Sequence, residues 1–578
     1  MTALEVPLRP EAAGQPAASP STPGSGSRAG LAARARDEFA DAPVLDEKAT
    51  GHLRHVRNVL WREDGDWGPM LSNDFTQLGE FTAYYYQLSG MAHVLAQGYQ
   101  HHLTAAPGVF RADMDRAIHK LQHPDVWSYW FAVSQGSPAW NPDLTAPQTP
   151  WWDPVVKENV MYSGHLNHVT ALYAYLFDDA KYDEVGSLRF EGFQDFGFGK
   201  SVAEYSLLTL NDLIYWQHVE NGYMGVACQP NEVFVTCNQF PLWGLKWQDA
   251  RLGGSRADEA AAGHFKAWER FGAYRRGQET PFLWLAAQNR IAPARTPGST
   301  EPAPGSFYVA SPWSYWALHG ANPDYALSTY DYITAAALDR DGEGSLVIIN
   351  EREMAADGKR YGRGARILGG EGAPGVREYS GPDPRHAGIW GWFSLILSEG
   401  GDPRLPEILD YVDRNMNPTW KDGGYYYPRN DDTWVDGRFV GVTPLSGNAN
   451  FAYARLNRRG GLNQLYNADW ARTRLAQPHL ADVSREIDVA RAAFLADRNA
   501  LVVTARPPHG AAGGPARFAF ANVRRQGLDW TLEVDGVELA HGAPHATETH
   551  AKQVWFEDGA LVVELHVSRP VDLVLRWV

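Results

Sequence analysis

Cysteine is nearly missing from this chain, with two in 578 residues. Two thiols cannot build a disulfide framework, so packing must hold the fold, and one optional bridge says little about redox compartment. Long apolar runs are missing too. No stretch approaches the about 18 consecutive apolar residues of a membrane-spanning helix. The N-terminal residues are rich in Pro, Ala, Gly and Ser and lack a positive segment followed by an apolar one. Residues 1–44 are therefore expected to form a disordered tail rather than a signal peptide, and the protein to be soluble and cytoplasmic. Positive charge is in deficit: 52 Lys and Arg stand against 68 Asp and Glu, a net charge of -16. That balance disfavours nucleic acid or an anionic membrane as the main partner. No fixed repeat period runs through the chain, which argues against a solenoid.

What the chain has in excess is large rings, 22 Trp and 26 Tyr. Such rings line cavities for apolar groups, cations and sugars alike. Helical periodicity recurs over 81–100, 112–121, 159–177, 202–219, 257–271, 386–398, 405–415 and 465–476. Loops rich in Gly, Pro, Asn and Asp join these segments. Many helices with long loops over residues 45–480 predict paired helices curling into an α/α toroid, with its loops around one end of a central cavity. Residues 481–578 change character. Short strands are expected at 500–505, 516–523, 529–534, 553–555, 560–567 and 571–578, with turns at Asp535-Gly536 and Asp558-Gly559. The fold class is mainly α with a small C-terminal antiparallel β domain, sandwich-like and packed on the toroid.

The two cysteines lie in one segment, Cys228-Gln-Pro-Asn-Glu-Val-Phe-Val-Thr-Cys237. A turn at Gln229 to Asn231 precedes an apolar run, so the backbone can aim both sulfurs at one place. Burial as small apolar residues and acid/base or nucleophilic work both fit, since a thiol of pKa about 8.5 needs only modest tuning for either role. A metal site fits less well, because the spacing is not C-x-x-C. Met161 and His165 are four apart on one predicted helix face, with His168 a turn beyond. A histidine there is ordinarily a hydrogen-bonded core group, but beside a thiol pair an imidazole can carry protons. Asp74 precedes the helix carrying Tyr84, Tyr85 and Tyr86 and reads equally as a cap or as part of a pocket wall. Asp431 and Asp432, on a predicted toroid loop, are solvated turn residues or the paired acids of a glycosidase.

The segment from Cys228 to Leu245, with its Asn238-Gln239 and Pro241-Leu242-Trp243-Gly244, resembles the signature segment of the linalool dehydratase/isomerase family. Met161 to Leu166 and the stretch from Gly447 to Asn457 are similar to the same family, so the resemblance spans about 60–463. It implies an (α/α)6 toroid that needs no cofactor and no metal, and that interconverts tertiary and primary allylic terpene alcohols and dehydrates the tertiary one to a diene. Residue by residue, it implies Cys228, Cys237 and His165 as active-site groups, with Met161 a turn before the histidine and Phe234 packing on the isoprenoid chain. Asp74 would be donated to a neighbouring subunit's site, making the protein a homo-oligomer with its site near an interface. A tyrosine accompanies that aspartate; of Tyr84, Tyr85 and Tyr86, Tyr85 is chosen here. The chain departs from the family in a longer stretch between histidine and cysteines, an added tail and β domain, and no export signal.

Loss of water from a tertiary allylic alcohol needs a proton for the hydroxyl, a base for the neighbouring C–H and walls that tolerate positive charge. Rings such as Phe234 and Trp243 meet the last need by cation–π attraction, about 1–2 kcal/mol each when desolvated. The rival expectation is a carbohydrate-active hydrolase or lyase on the same toroid, which uses the rings and the paired acids but not the thiols.

Overall fold

The computed structural model describes residues 37–70, 83–138, 141–192, 200–272, 283–292, 306–340, 346–348, 387–428, 434–435, 438–439, 447–545 and 549–578. Twelve helices of ten residues or more occur among them. They are α1 (Glu47–Leu60), α2 (Ala83–His101), α3 (Arg111–Leu121), α4 (Val160–Phe177), α5 (Leu207–Glu220) and α6 (Gln239–Leu252), followed by α7 (Arg256–Arg270), α8 (Ser306–Ala321), α9 (Pro323–Ala337), α10 (Ala387–Gly400), α11 (Leu405–Asn415) and α12 (Gly447–Leu456).

The even-numbered helices touch one another in a closed circuit, α2 to α4 to α6 to α8 to α10 to α12 and back to α2. The odd-numbered helices lie against this circuit from outside: α3 on α2 and α4, α5 on α4 and α6, α7 on α6, α9 on α8, α11 on α10, and α1 on α2 and α12. Burial follows the same division. All 18 residues of α4 are buried, as expected of a helix with neighbours on every side. Outer helices carry polar faces and local caps. Asp46 accepts the Ala49 N–H at 2.7 Å ahead of α1, and Ser206 and Thr209 form a reciprocal capping box at the start of α5. That box divides the expected 202–219 helix, because Val202–Tyr205 pairs as a strand with Leu188–Glu191.

The C-terminal region forms two antiparallel sheets. One has the order His479–Val483, Gly514–Ala521, Ala560–Val567, Val554–Glu557. The other runs Asp488–Leu495, Ala500–Arg506, Val571–Trp577, Trp530–Val534, Val537–Gly542. Trp530 of one meets Phe556 of the other at 5.9 Å, edge to face. Both expected Asp-Gly turns have two positive φ angles, 51° and 75° at Asp535 and Gly536, 48° and 83° at Asp558 and Gly559, as two-residue hairpins require. The sheets dock on the helices through Leu480 N–H to Ala105 O at 2.8 Å and Ala105 N–H to Ala492 O at 3.1 Å. Residues 37–44, placed in the tail by composition, lie against the second sheet: Phe39 and Ala42 are buried with Ala500, Val502 and Val574.

No helix among the described residues is long and apolar enough to cross a membrane.

Candidate active site

The cysteine segment is held by its own backbone. Cys228 N–H donates to Glu232 O at 2.7 Å, and Glu232 N–H to Gln229 O at 2.8 Å. Asn231 takes the left-handed conformation at φ 79°, which Asn tolerates better than most residues. The turn expected at Gln229 to Asn231 is thus formed. It feeds the strand Glu232–Phe234, which pairs with Leu283–Leu285. Asn238 then clamps both flanks, donating to Val226 O at 3.0 Å and Phe234 O at 2.8 Å and accepting the Val226 N–H at 2.7 Å. Gln239 donates to Val235 O at 3.0 Å. These two side chains fix the loop between Cys228 and α6.

α4 is pinned to the same loop. Val160 N–H donates to Ala227 O at 3.1 Å, so the start of α4 is tied to the residue before Cys228. α4 also crosses α6 closely. A Cβ on Gly164 would sit 3.1 Å from Pro241 and 3.6 Å from Cys237 O, and one on Gly244 would overlap Asn167 Oδ1 at 1.7 Å. Gly244 admits no side chain.

Cys228 and Cys237 are both free and buried, and each thiol lies close enough to the other to act on it electrostatically. Burial, then the neighbouring Cys237, pushes the Cys228 thiol well above its ordinary range; the Phe234 N–H pulls the other way. Tyr86 joins the thiols to α4. Its hydroxyl donates to Met161 Sδ, its ring meets His165 edge to face at 5.1 Å, and it feels both cysteines. His165 lies between Tyr86, Tyr85 at 5.5 Å and Phe240 at 4.2 Å. Among the described residues, neither of its ring nitrogens has a hydrogen-bond partner. Burial, with His168 and His93 nearby, holds its pKa well below the usual value, so the ring is neutral, one nitrogen a donor and the other an acceptor. His168 is committed instead, with Nδ1 on Gly164 O at 2.8 Å and Nε2 on Ser89 Oγ at 2.9 Å.

Of the other sequence candidates, Phe234 lies half-buried beside Leu283 and Leu285. Trp243 is fully buried one layer below, its ring neighbours being His93, His168, Phe240, Trp247 and Trp316. Tyr84 stacks on Trp67 at 4.5 Å. Asp74, Asp431 and Asp432 lie outside the described residues.

Three neighbours of the thiols or of Tyr86 were not singled out in the sequence. Tyr129 feels both cysteines. Trp313 meets Tyr86 edge to face at 5.3 Å. Glu232 is 4% exposed, and burial raises its pKa to about 8, so it is largely a neutral acid at pH 7. The only available signal for Glu232 was its place between the cysteines. Among the described residues no group of His, Cys, Asp and Glu is arranged to hold a metal ion. The assembled groups are neutral hydrogen-bond donors and acceptors set among rings, which suits proton transfer to and from an uncharged substrate.

Comparison with solved structures finds weak likenesses. An unsaturated glucuronyl hydrolase specific for heparin is 11% identical with a TM-score of 0.37, covering 72% of this chain and 96% of that one. The GH76A α-1,6-mannanase of Salegentibacter sp. HEL1_6 is 12% identical with a TM-score of 0.35, covering 73% and 99%. Neither likeness bears on the chemistry. The sequence family described as linalool dehydratase/isomerase matches residues 85–433, more than half of the chain and the stretch that holds Tyr86, His165 and both cysteines. The chain belongs to the linalool dehydratase/isomerase family.

Proposed function

We propose that the protein is a cofactor-independent dehydratase/isomerase of allylic, terpene-type alcohols, built on an (α/α)6 toroid. The observation that carries this reading is the buried thiol pair sharing Tyr86 with Met161 and the unpartnered, neutral His165. One thiol gives its proton to the tertiary hydroxyl, the C–O bond breaks and water leaves. The thiolate left behind takes a proton from the neighbouring carbon, a C=C bond forms, and the thiol is restored. His165, able to donate and accept, carries the proton between oxygen, sulfur and carbon. Return of water at the other end of the allylic cation, with its extra proton passing to the thiolate, gives the primary alcohol and restores the thiol. Burial makes a lone thiolate costly, so the charge pair it forms with the allylic cation is favoured where water is excluded.

The rings of Tyr86, Phe240 and Trp313 supply cation–π stabilisation, about 0.5–2 kcal/mol each. Met161 and Phe234 bound the hydrocarbon, and Trp243 backs the wall from behind Phe240. Asp74 and a tyrosine of the 84–86 stretch complete the site, Asp74 being given by a neighbouring subunit, so the active enzyme is a homo-oligomer. The test is product analysis: chelator-treated protein incubated with a ten-carbon tertiary allylic alcohol should yield a conjugated diene and the primary allylic isomer by gas chromatography. Complete recovery of the starting alcohol at high enzyme concentration contradicts the assignment.

A further inference from the structure

We propose that Asn159 is a positioning residue for the reaction, bracing a left-handed step at Glu158-Asn159 that sets Met161 and His165 in register with the two thiols. The proposal rests on the functional reading above and deepens it, because it assigns the alignment of the site to a residue with no proton or charge to offer the substrate.

The chain enters α4 by an uncommon route. Glu158 and Asn159 both have a φ of 55°, a conformation that costs most L-residues a steric clash. Among the described residues they are the only two consecutive residues other than glycine with positive φ. Backbone strain of this kind persists only where the surroundings enforce it, and it gathers at functional sites. Here the surroundings act from three sides. Asn159 Nδ2 donates to Pro154 O at 2.9 Å, and Asn159 Oδ1 accepts the Tyr129 hydroxyl at 3.0 Å. A peptide carbonyl only accepts, so this amide cannot be flipped. Glu158 N–H donates to Gln217 Oε1, on α5, at 2.7 Å. Asn159 is fully buried, so water does not compete for its two side-chain bonds.

The effect of the step is felt in the first turn of α4. An asparagine ahead of a helix ordinarily caps it, its side chain accepting an N–H of the first turn. The Asn159 side chain does not. Its backbone carbonyl accepts the Tyr162 and Ser163 N–H groups, both at 2.9 Å, and Val160 N–H points out of the helix to Ala227 O at 3.1 Å. The acceptor end is held as firmly. Asn238, the residue after Cys237, bonds both backbone groups of Val226, at 2.7 and 3.0 Å. One hydrogen bond between two braced segments therefore ties α4 to the residue before Cys228. Met161 follows Val160 directly and His165 lies a turn further on, so drift at this joint moves both against the thiols. Misplacements of that kind are costly to catalysis even when every reacting group is present.

The test compares Asn159→Gly with the unmodified protein. Glycine accepts the same φ without strain, and the side chain it removes caps nothing, so the variant takes away the bracing bonds alone. Hydrogen exchange read by mass spectrometry should quicken at least about tenfold over residues 158–164 and stay unchanged over 168–176. With a ten-carbon tertiary allylic alcohol, kcat should fall roughly tenfold to a hundredfold while KM stays within about twofold. Gln217→Met removes the acceptor for Glu158 N–H from the α5 side. It should move both readouts the same way by less, and it stands in should Asn159→Gly fold poorly. Exchange that quickens evenly along α4 with kcat unchanged would mark a purely structural residue and overturn the proposal, as would parental values in both readouts. An unmodified protein that converts no allylic alcohol removes the functional reading and the proposal together; an active one whose Asn159→Gly variant keeps its kcat removes the proposal alone.

Discussion

In the C-terminal sheets Arg491 lies 3.0 Å from Asp572, and also donates to Thr504 Oγ1 at 2.9 Å and Phe39 O at 2.8 Å. Between helices α1 and the sheets, Arg54 binds Asp488 at 2.7 Å. Around the cysteines the pattern is reversed. His165 is 2% exposed, yet among the described residues neither its ring nitrogens nor the Tyr85 hydroxyl has a hydrogen-bond partner. Buried polar groups are normally satisfied, and leaving one unpaired costs about 1–3 kcal/mol. The sheets spend their buried charges on holding the docked surface together, while the α4–α6 region keeps hydrogen-bonding capacity free.

The sharpest way to break this contrast is to unpair a charge in the sheets. Arg491→Met removes the guanidinium from beside buried Asp572 and should destabilise the fold by about 3–5 kcal/mol in denaturant melts, with specific activity of the folded fraction unchanged. A loss of activity without loss of stability would show that the two regions are not separable in this way.

Next in size is the pH response of Glu232, whose pKa rises from 4.5 to about 8 in the fold. With the folded value above the unfolded one, its contribution to stability is fully present below pH 4.5 and is lost as pH rises through about 8. Glu232→Gln should therefore flatten the alkaline side of the stability profile, gaining roughly 2–4 kcal/mol over the unmodified protein at pH 8.5 and almost nothing at pH 4.5. Parallel profiles for the two proteins would contradict the burial of this carboxyl. The buried histidines act with the opposite sign. His168 and His218 are lowered to about 3 and His264 to about 4, so the stability they lend is lost as pH falls from about 6.5 toward those values.

The smallest expected change is in stability at His165. Replacing an unpartnered imidazole by Leu removes polar atoms that gain nothing from the fold, so His165→Leu should stay within about 1 kcal/mol of the unmodified protein while turnover of the allylic alcohol disappears. A large destabilisation would mean that His165 is a core group with a structural duty.

Much of this architecture was legible in the sequence, and the gaps have physical causes. Outer helices such as α11 and α7 show one apolar face, and the reading at 405–415 matches Leu405–Asn415 to the residue. The inner helix α8 was missed. It carries Pro312 and is rich in rings along its length, so no polar face marks a helical period. α6 was recognised as a motif but not as a helix, because Pro241 and Gly244 read as breakers; Pro241 lies in the first turn, where few backbone donors are needed, and Gly244 is required by Asn167. In the sheets, Asp488–Leu495 was missed because it is buried almost continuously rather than alternately.

At the site, the cysteine spacing and the Met161/His165 pairing were readable as local features. The choice among Tyr84, Tyr85 and Tyr86 was not. Successive residues on a helix turn by about 100°, so which one meets Met161 depends on how α2 is rotated against α4. Tyr86 makes that contact and Tyr85 lies behind it. The burial of Glu232 is likewise a tertiary fact, set by pairing with Leu283–Leu285 from more than fifty residues away.

The central claim is that the thiols do chemistry rather than fill space. Cys228→Ala and Cys237→Ala, each compared with the unmodified protein for diene formation and for thermal unfolding, test it most directly. Each variant should unfold within about 2 kcal/mol of the parent, as the loss of one small buried group predicts, and should form diene at least roughly a thousandfold more slowly, about 4 kcal/mol in the barrier. Diene formation at the parental rate by both variants would contradict the account.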